Sequence, residues 1–96
     1  MIKIVVKSVY KPGSWEKLTP LYQELLEKTG KEEGCVEYSL FIDVKDENTT
    51  ILIENWASQE ALDAHSQSEH YARIVPQLRA LGASPVELTR LKAFKS

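Results

Sequence analysis

Cysteine is almost absent from this chain: Cys35 stands alone among 96 residues. One thiol cannot close an internal disulfide, and without a Cys-x-x-Cys pair there is no thiolate metal or redox motif. A basic excess is missing too. Twelve Lys and Arg face fourteen Asp and Glu, a formal net charge of −2. That argues against nucleic acid or an anionic membrane as partner, because cationic side chains supply most of the affinity for both. No apolar run approaches the ~18 residues of a spanning helix. The opening MIKIVVKSVY is short, broken by lysine and lacks a small-residue cleavage site, so it does not read as a signal peptide. The expected compartment is the cytosol. Only four glycines occur, and none builds a phosphate-cradling loop. The strand motif of an RNA-recognition module and the local signatures of Ser-His-Asp or Cys-His nucleophiles are lacking as well.

What is present is globular. Hydrophobic residues make up 43% and charged residues 27%, and the length suits a single domain over 1–96. A strand is predicted over 2–10, with Ile2, Ile4 and Val6 on one face and Lys3, Val5, Lys7 and Val9 on the other. After Lys11-Pro12-Gly13, Ser14 is a candidate cap for a helix over 15–31, with Trp15, Leu18, Tyr22, Leu25, Leu26 and Thr29 on its apolar stripe. Pro20 interrupts that stripe. Either the first turn is irregular or Thr19 caps a helix starting at Pro20. Strict alternation over 35–44 places Val36, Tyr38, Leu40, Ile42 and Val44 opposite Cys35, Glu37, Ser39, Phe41 and Asp43. A polar turn at 45–48 leads to a hairpin partner over 49–56. Ser58 and Ser68 are expected to cap helices over 59–66 and 69–81. Pro76 should bend or restart the second of these, and Gly82 should stop it. A last strand is expected over 85–94.

The order βαββαβ predicts an α+β, ferredoxin-like fold: a four-stranded antiparallel sheet with helices on one face. The second sheet face is expected to carry Val5, Val9, Cys35, Phe41, Leu52 or Trp56. A second copy packed sheet to sheet is the economical cover for it.

Chemistry concentrates in 54–71: Glu54, Trp56, His65, His70 and Tyr71. Five residues separate the two histidines, so a continuous helix would not give them one face. A break at Ser68 leaves their convergence open. Two histidines without a third ligand make a poor metal site, and Glu69 looks too exposed to serve. The plain alternative has His65 packing at a helix end and His70 making a capping contact. Glu54 is either a solvated or cross-strand-paired charge, or a buried base or histidine partner. Cys35 reads as a packing residue, and the Lys31-Glu32-Glu33 junction as a solvated turn.

These residues also carry a family resemblance. Glu33-Gly34-Cys35 with Tyr38, Ile53-Glu54-Asn55-Trp56 with Ser58, Ala61-Leu62 with His65, and Ser68-Glu69-His70-Tyr71 together resemble the antibiotic-biosynthesis monooxygenases, most of all the small quinol monooxygenases. The resemblance covers about residues 2–80. It implies a homodimeric α/β barrel with one pocket per subunit, which takes a small aromatic quinol or phenol and dioxygen and needs no metal, haem or flavin. On that reading His65 or His70 is the base, with Glu54 orienting a histidine. Trp56, Tyr71 and Tyr38 form the aromatic slot. Haem-degrading relatives carry a tryptophan where His65 stands and a ligating histidine near the position of Val75, so haem binding is not expected. A branch that isomerises a phosphorylated carbonyl compound shares His70-Tyr71. It would need a cationic pocket, for which Lys7, Arg73 and Arg90 are candidates. A non-catalytic small-ligand-binding dimer is the third possibility.

Overall fold

Alternating Ile, Val and Lys make β1, Ile2–Val9, the second strand from one edge of the sheet in the computed structural model, which describes residues 1–95. The other elements follow as α1 (Trp15–Gly30), β2 (Cys35–Ile42), β3 (Thr49–Trp56), α2 (Gln59–Ser66), α3 (Glu69–Ala80) and β4 (Glu87–Leu91). The strands are all antiparallel and lie in the order β2-β3-β1-β4. This is the expected ferredoxin-like α+β architecture.

Helices α1 and α3 close the inner sheet face. Leu18, Tyr22 and Leu25 from α1 meet Ile74 and Leu78 from α3, with Tyr10 beyond the end of β1. The Tyr10 and Tyr22 hydroxyls bond to each other, and Thr50 lies within reach of Tyr22. These pairings satisfy polar groups that would otherwise be costly to bury.

Several local expectations need correction. Helix α1 is continuous through Pro20, which lies with Glu16 and Thr19 on an exposed stretch. There the carbonyl bond that proline forfeits can be made to water. Thr19 caps nothing; its hydroxyl donates to the Trp15 carbonyl one turn back. Ser14 occupies the cap position without capping, and donates to the Lys11 carbonyl instead. Helix α3 likewise runs unbroken through Pro76. Gly82 does not end it in a left-handed turn. Instead Gly82 bridges to Tyr10, and a side chain there would press on the Arg79 carbonyl at 3.2 Å. Strands β2 and β4 are shorter than predicted.

The largest departure is a bulge in β2. Cys35 pairs with Trp56 and Glu37 with Asn55, so Val36 is the extra residue. Cys35 therefore turns to the inner side, and Val36 is thrown outward and exposed. Leu52 and Trp56 also belong to the inner face, in register with Val6 and Ile2. The outer face carries Val5, Val9 and Phe41 as expected, joined by Ile51, Ile53 and Leu91. Phe41 is 50% exposed there.

Candidate active site

The site is built where β3 ends. Period-two alternation turns Glu54 and Trp56 inward together. Both are buried, Trp56 completely. The indole Nε1–H donates to Glu54 Oε1 at 2.9 Å. Ser58 then caps α2 through the Ala61 amide, and about two turns later the helix delivers His65 onto the indole. The His65 ring lies 4.7 Å from the Trp56 ring at 31°, and meets Tyr38 and Tyr71 edge-on at 5.3 and 5.1 Å. Only 2% of His65 is exposed.

Ser68 sets the relation of the two histidines. Its hydroxyl donates to the His65 carbonyl at 2.7 Å and accepts from the Tyr71 amide at 3.3 Å. One side chain thus ends α2 and begins α3, and the histidines converge despite their five-residue spacing. They converge on a residue assigned to a solvated turn. Glu32 Oε2 accepts from His65 Nδ1 at 2.7 Å and from His70 Nε2 at 2.9 Å. In their neutral forms both imidazoles turn an N–H to this one oxygen.

Gly34 makes that meeting possible. Its φ is +83°, and an added Cβ would lie 2.5 Å from the Ala61 Cβ on α2. Only glycine lets the turn after α1 fold this close to α2. The Ala57 amide bonds the Gly34 carbonyl at 2.8 Å and fastens the turn in place. A glycine two residues after Glu32, with a histidine pair downstream, was the available signal. The charge of Lys31-Glu32-Glu33 hid it.

A cleft of about 100 Å³ opens between the sheet and α1 and α3. Of the predicted site residues, Glu54, Tyr38 and Tyr71 line it, with Val6, Leu52 and Val75 among its apolar walls. Trp56, His65 and His70 do not. Trp56 and His65 stand behind the two tyrosines, and His70 lies on Glu32. The expectation that Trp56, His65, His70 and Tyr71 share one cavity is therefore corrected: the hydrogen-bonded cluster and the cleft are adjoining but distinct, joined through Tyr38, Glu54 and Tyr71. Nor does Glu54 orient a histidine; it holds the Trp56 indole, and Glu32 holds both imidazoles.

Burial pushes the Glu54 carboxyl above the ordinary range, opposed by the Trp56 bond and by His65, and reinforced by Glu32. Burial raises the Tyr38 phenol far up, with Glu54 adding to it, so Tyr38 stays neutral. The Cys35 thiol is raised by burial, then by Glu32 and Glu54, which makes it a poor nucleophile. Thr29 Oγ1 is the one sealed side-chain polar atom without a partner among the described residues. Glu54 Oε2 accepts no hydrogen bond from those residues either, so it keeps some access.

The three candidate phosphate-binding cations lie elsewhere. Lys7 sits on the outer face opposite Ile51. Arg73 is held by Glu24 and Glu69, and Arg90 donates to the Gln59 side chain at 2.7 Å. Arg79 is the cation that lines the cleft. Val75 is one of the apolar wall residues of the cleft.

Known proteins match most of this chain in sequence and nearly all of it in structure. The family model for antibiotic biosynthesis monooxygenase matches residues 1–77. A Bacillus subtilis protein named "Putative monooxygenase YcnE" is 30% identical over 80 residues, 83% of this chain and 84% of that protein. A crystal structure of an antibiotic biosynthesis monooxygenase superposes with a TM-score of 0.94 at 36% identity, covering 99% of this chain and 100% of the other. Rv0793 from Mycobacterium tuberculosis superposes at 0.89 with 26% identity, covering 99% of this chain and 96% of its own.

Proposed function

This chain belongs to the antibiotic biosynthesis monooxygenase family, and from that premise we propose that it oxidises an electron-rich phenol or hydroquinone with dioxygen in the cleft beside β3. The observation that carries the reading is Glu54: a buried carboxyl, shifted toward neutrality, with one oxygen held by Trp56 and the other unpartnered in a tyrosine-bordered wall.

Such a carboxylate is a general base. A pKa moved up from the ordinary carboxylate range toward the working pH makes it a stronger acceptor for a phenolic proton. The resulting phenolate can pass one electron to dioxygen. The radical pair then combines at ring carbon, one oxygen atom enters the ring, and the other leaves as water with the two protons released. Hydroquinone and dioxygen thus give hydroxyquinone and water, in balance. The protein's part is to place the ring between Tyr38, Tyr71 and the apolar wall, exclude water and accept the proton at Glu54 Oε2. His65 and His70 act from behind, as positioning residues. His65 backs Tyr38 and Tyr71, and Glu32 fixes both imidazoles.

The outer sheet face supports a second part of the proposal, a homodimer packed sheet to sheet. Val5, Val9, Phe41, Ile51, Ile53 and Leu91 would meet their counterparts there. Light scattering at micromolar concentration should give about twice 10.9 kDa; a stable monomer would refute it.

The reaction is tested with an oxygen electrode and a panel of substituted hydroquinones. Glu54→Gln should lower turnover about 10²–10⁴-fold, the ordinary worth of a positioned base. Full activity in that variant, with folding intact, would remove Glu54 from the role. A ligand-induced rise in Tm without any oxygen uptake would instead mark a binding module.

A further inference from the structure

The Glu32–His65–His70 cluster stands outside the cleft, and the oxidation does not use its coordinating capacity. Its three donor atoms, Glu32 Oε2, His65 Nδ1 and His70 Nε2, lie within 4.8 Å of one another. They come from three different elements: the turn after α1, the last turn of α2 and the first turn of α3. We propose that these three residues form a binding site for one divalent transition ion of the zinc and cobalt class.

The donor set decides the class. Two imidazoles and one carboxylate suit divalent first-row transition ions such as zinc, cobalt, nickel and ferrous iron, whereas magnesium and calcium take oxygen ligands. A tetrahedral ion with bonds of about 2.0–2.1 Å holds its ligand atoms about 3.3 Å apart. Glu32 Oε2 is at present 2.7 and 2.9 Å from the two nitrogens. The carboxylate has to withdraw by roughly half an ångström, and the two imidazole nitrogens, which lie within 4.8 Å of each other, have to close to the same spacing by turning their rings.

The two histidines are held close to where the ion needs them. His65 is stacked on Trp56, and the backbone around both histidines is tied through Ser68. Ligands oriented by such outer contacts bind metal more tightly. The site is not sealed: the Glu32 and His70 side chains are 16% and 13% exposed. That leaves an entry path and a fourth position for water. Proton accounting is simple. On binding, His65 shifts its ring proton from Nδ1 to Nε2, and His70 from Nε2 to Nδ1. The two N–H···O bonds become metal bonds. One carboxylate offsets half of the ion's charge.

The test uses the full chain and Co²⁺ as probe, so it is read by binding alone and is independent of turnover. Titration should give a visible ligand-field band that saturates near one Co²⁺ per chain and is discharged by Zn²⁺. Glu32→Gln and His70→Ala should each weaken binding tenfold or more. Glu69→Gln, which alters a carboxylate bonded to Arg73 on the surface, should not. Absence of any band, or unchanged affinity in the folded Glu32→Gln and His70→Ala variants, would overturn the proposal. Should these variants fail to fold, the histidine ring proton signals of the wild-type chain decide. Both should shift with stoichiometric Zn²⁺, and retained zinc with neither signal moved would overturn the site.

Discussion

Replacing Glu54 by glutamine separates the stability of the site from its chemistry. The amide oxygen can still accept the Trp56 indole N–H, so geometry is kept and only the ionisable group is lost. Burial raises the folded-state pKa of Glu54 above its unfolded value. The folded protein therefore binds the proton more tightly than the unfolded chain does. This contribution to stability is fully present below the ordinary carboxylate pKa, about 4.3, and is lost as pH rises through the folded-state value. Above that value the desolvated carboxylate is a net cost to the fold. Glutamine removes it. The stabilisation expected of relieving one such site is about 1 kcal/mol, which for a chain of this length raises Tm by roughly 4–8 °C. The gain should shrink as pH falls through the folded-state value and be gone below about 4.3, where Glu54 is protonated whether folded or unfolded. Over the same substitution, turnover should fall about 10²–10⁴-fold, a loss of about 2.7–5.4 kcal/mol in transition-state stabilisation. Paired melts at several pH values and oxygen-uptake assays read both effects. A variant less stable than wild type at neutral pH would refute the burial argument. A pH-independent gain would point to packing rather than charge.

Gly34→Ala should destabilise the fold by roughly 2–4 kcal/mol in chemical denaturation. It imposes a positive φ on a non-glycine residue and a 2.5 Å contact with Ala61. It should also move Glu32 from the histidines, which the histidine ring signals would report. Ile74→Ala empties a fully buried position where α3 packs against α1 and should cost about 2–5 kcal/mol. Trp56→Ala should act chiefly on stability, by about 3–5 kcal/mol, because the indole supports the cleft wall without lining it. Glu24 should titrate at about 2 by NMR, held down by its Arg73 and Lys28 bonds, and Arg73→Ala should bring it up toward the ordinary range.

Much of this architecture was legible because the signals were local. Alternation in β1 and β3, the Ser58 and Ser68 caps and the stripe of α1 each depend on residues within one or two turns. The bulge at Val36 was not legible. An unbroken apolar-polar alternation through 35–44 gives no sign that one residue is surplus, and the surplus follows from pairing with β3. It reverses the side to which Cys35 turns. Pro20 and Pro76 misled for a related reason: whether a helix survives proline depends on where the freed carbonyl points, and tertiary context decides that. In the site, Glu54, Trp56, His65, His70 and Tyr71 were found as a cluster because they follow one another along the chain. Glu32 was missed because it joins them across more than thirty residues of sequence. The division between cleft and cluster was hidden for the same reason, since it arises where α1 and α3 meet β2 and β3.

The most direct test of the central claim is isotopic. The chelator-dialysed protein is incubated with a hydroquinone under ¹⁸O₂, and the product is weighed by mass spectrometry beside the Glu54→Gln variant. Incorporation of one ¹⁸O atom per ring by the wild-type chain, lost in the variant, is the predicted result. Unlabelled product, or equal labelling in both proteins, would contradict it.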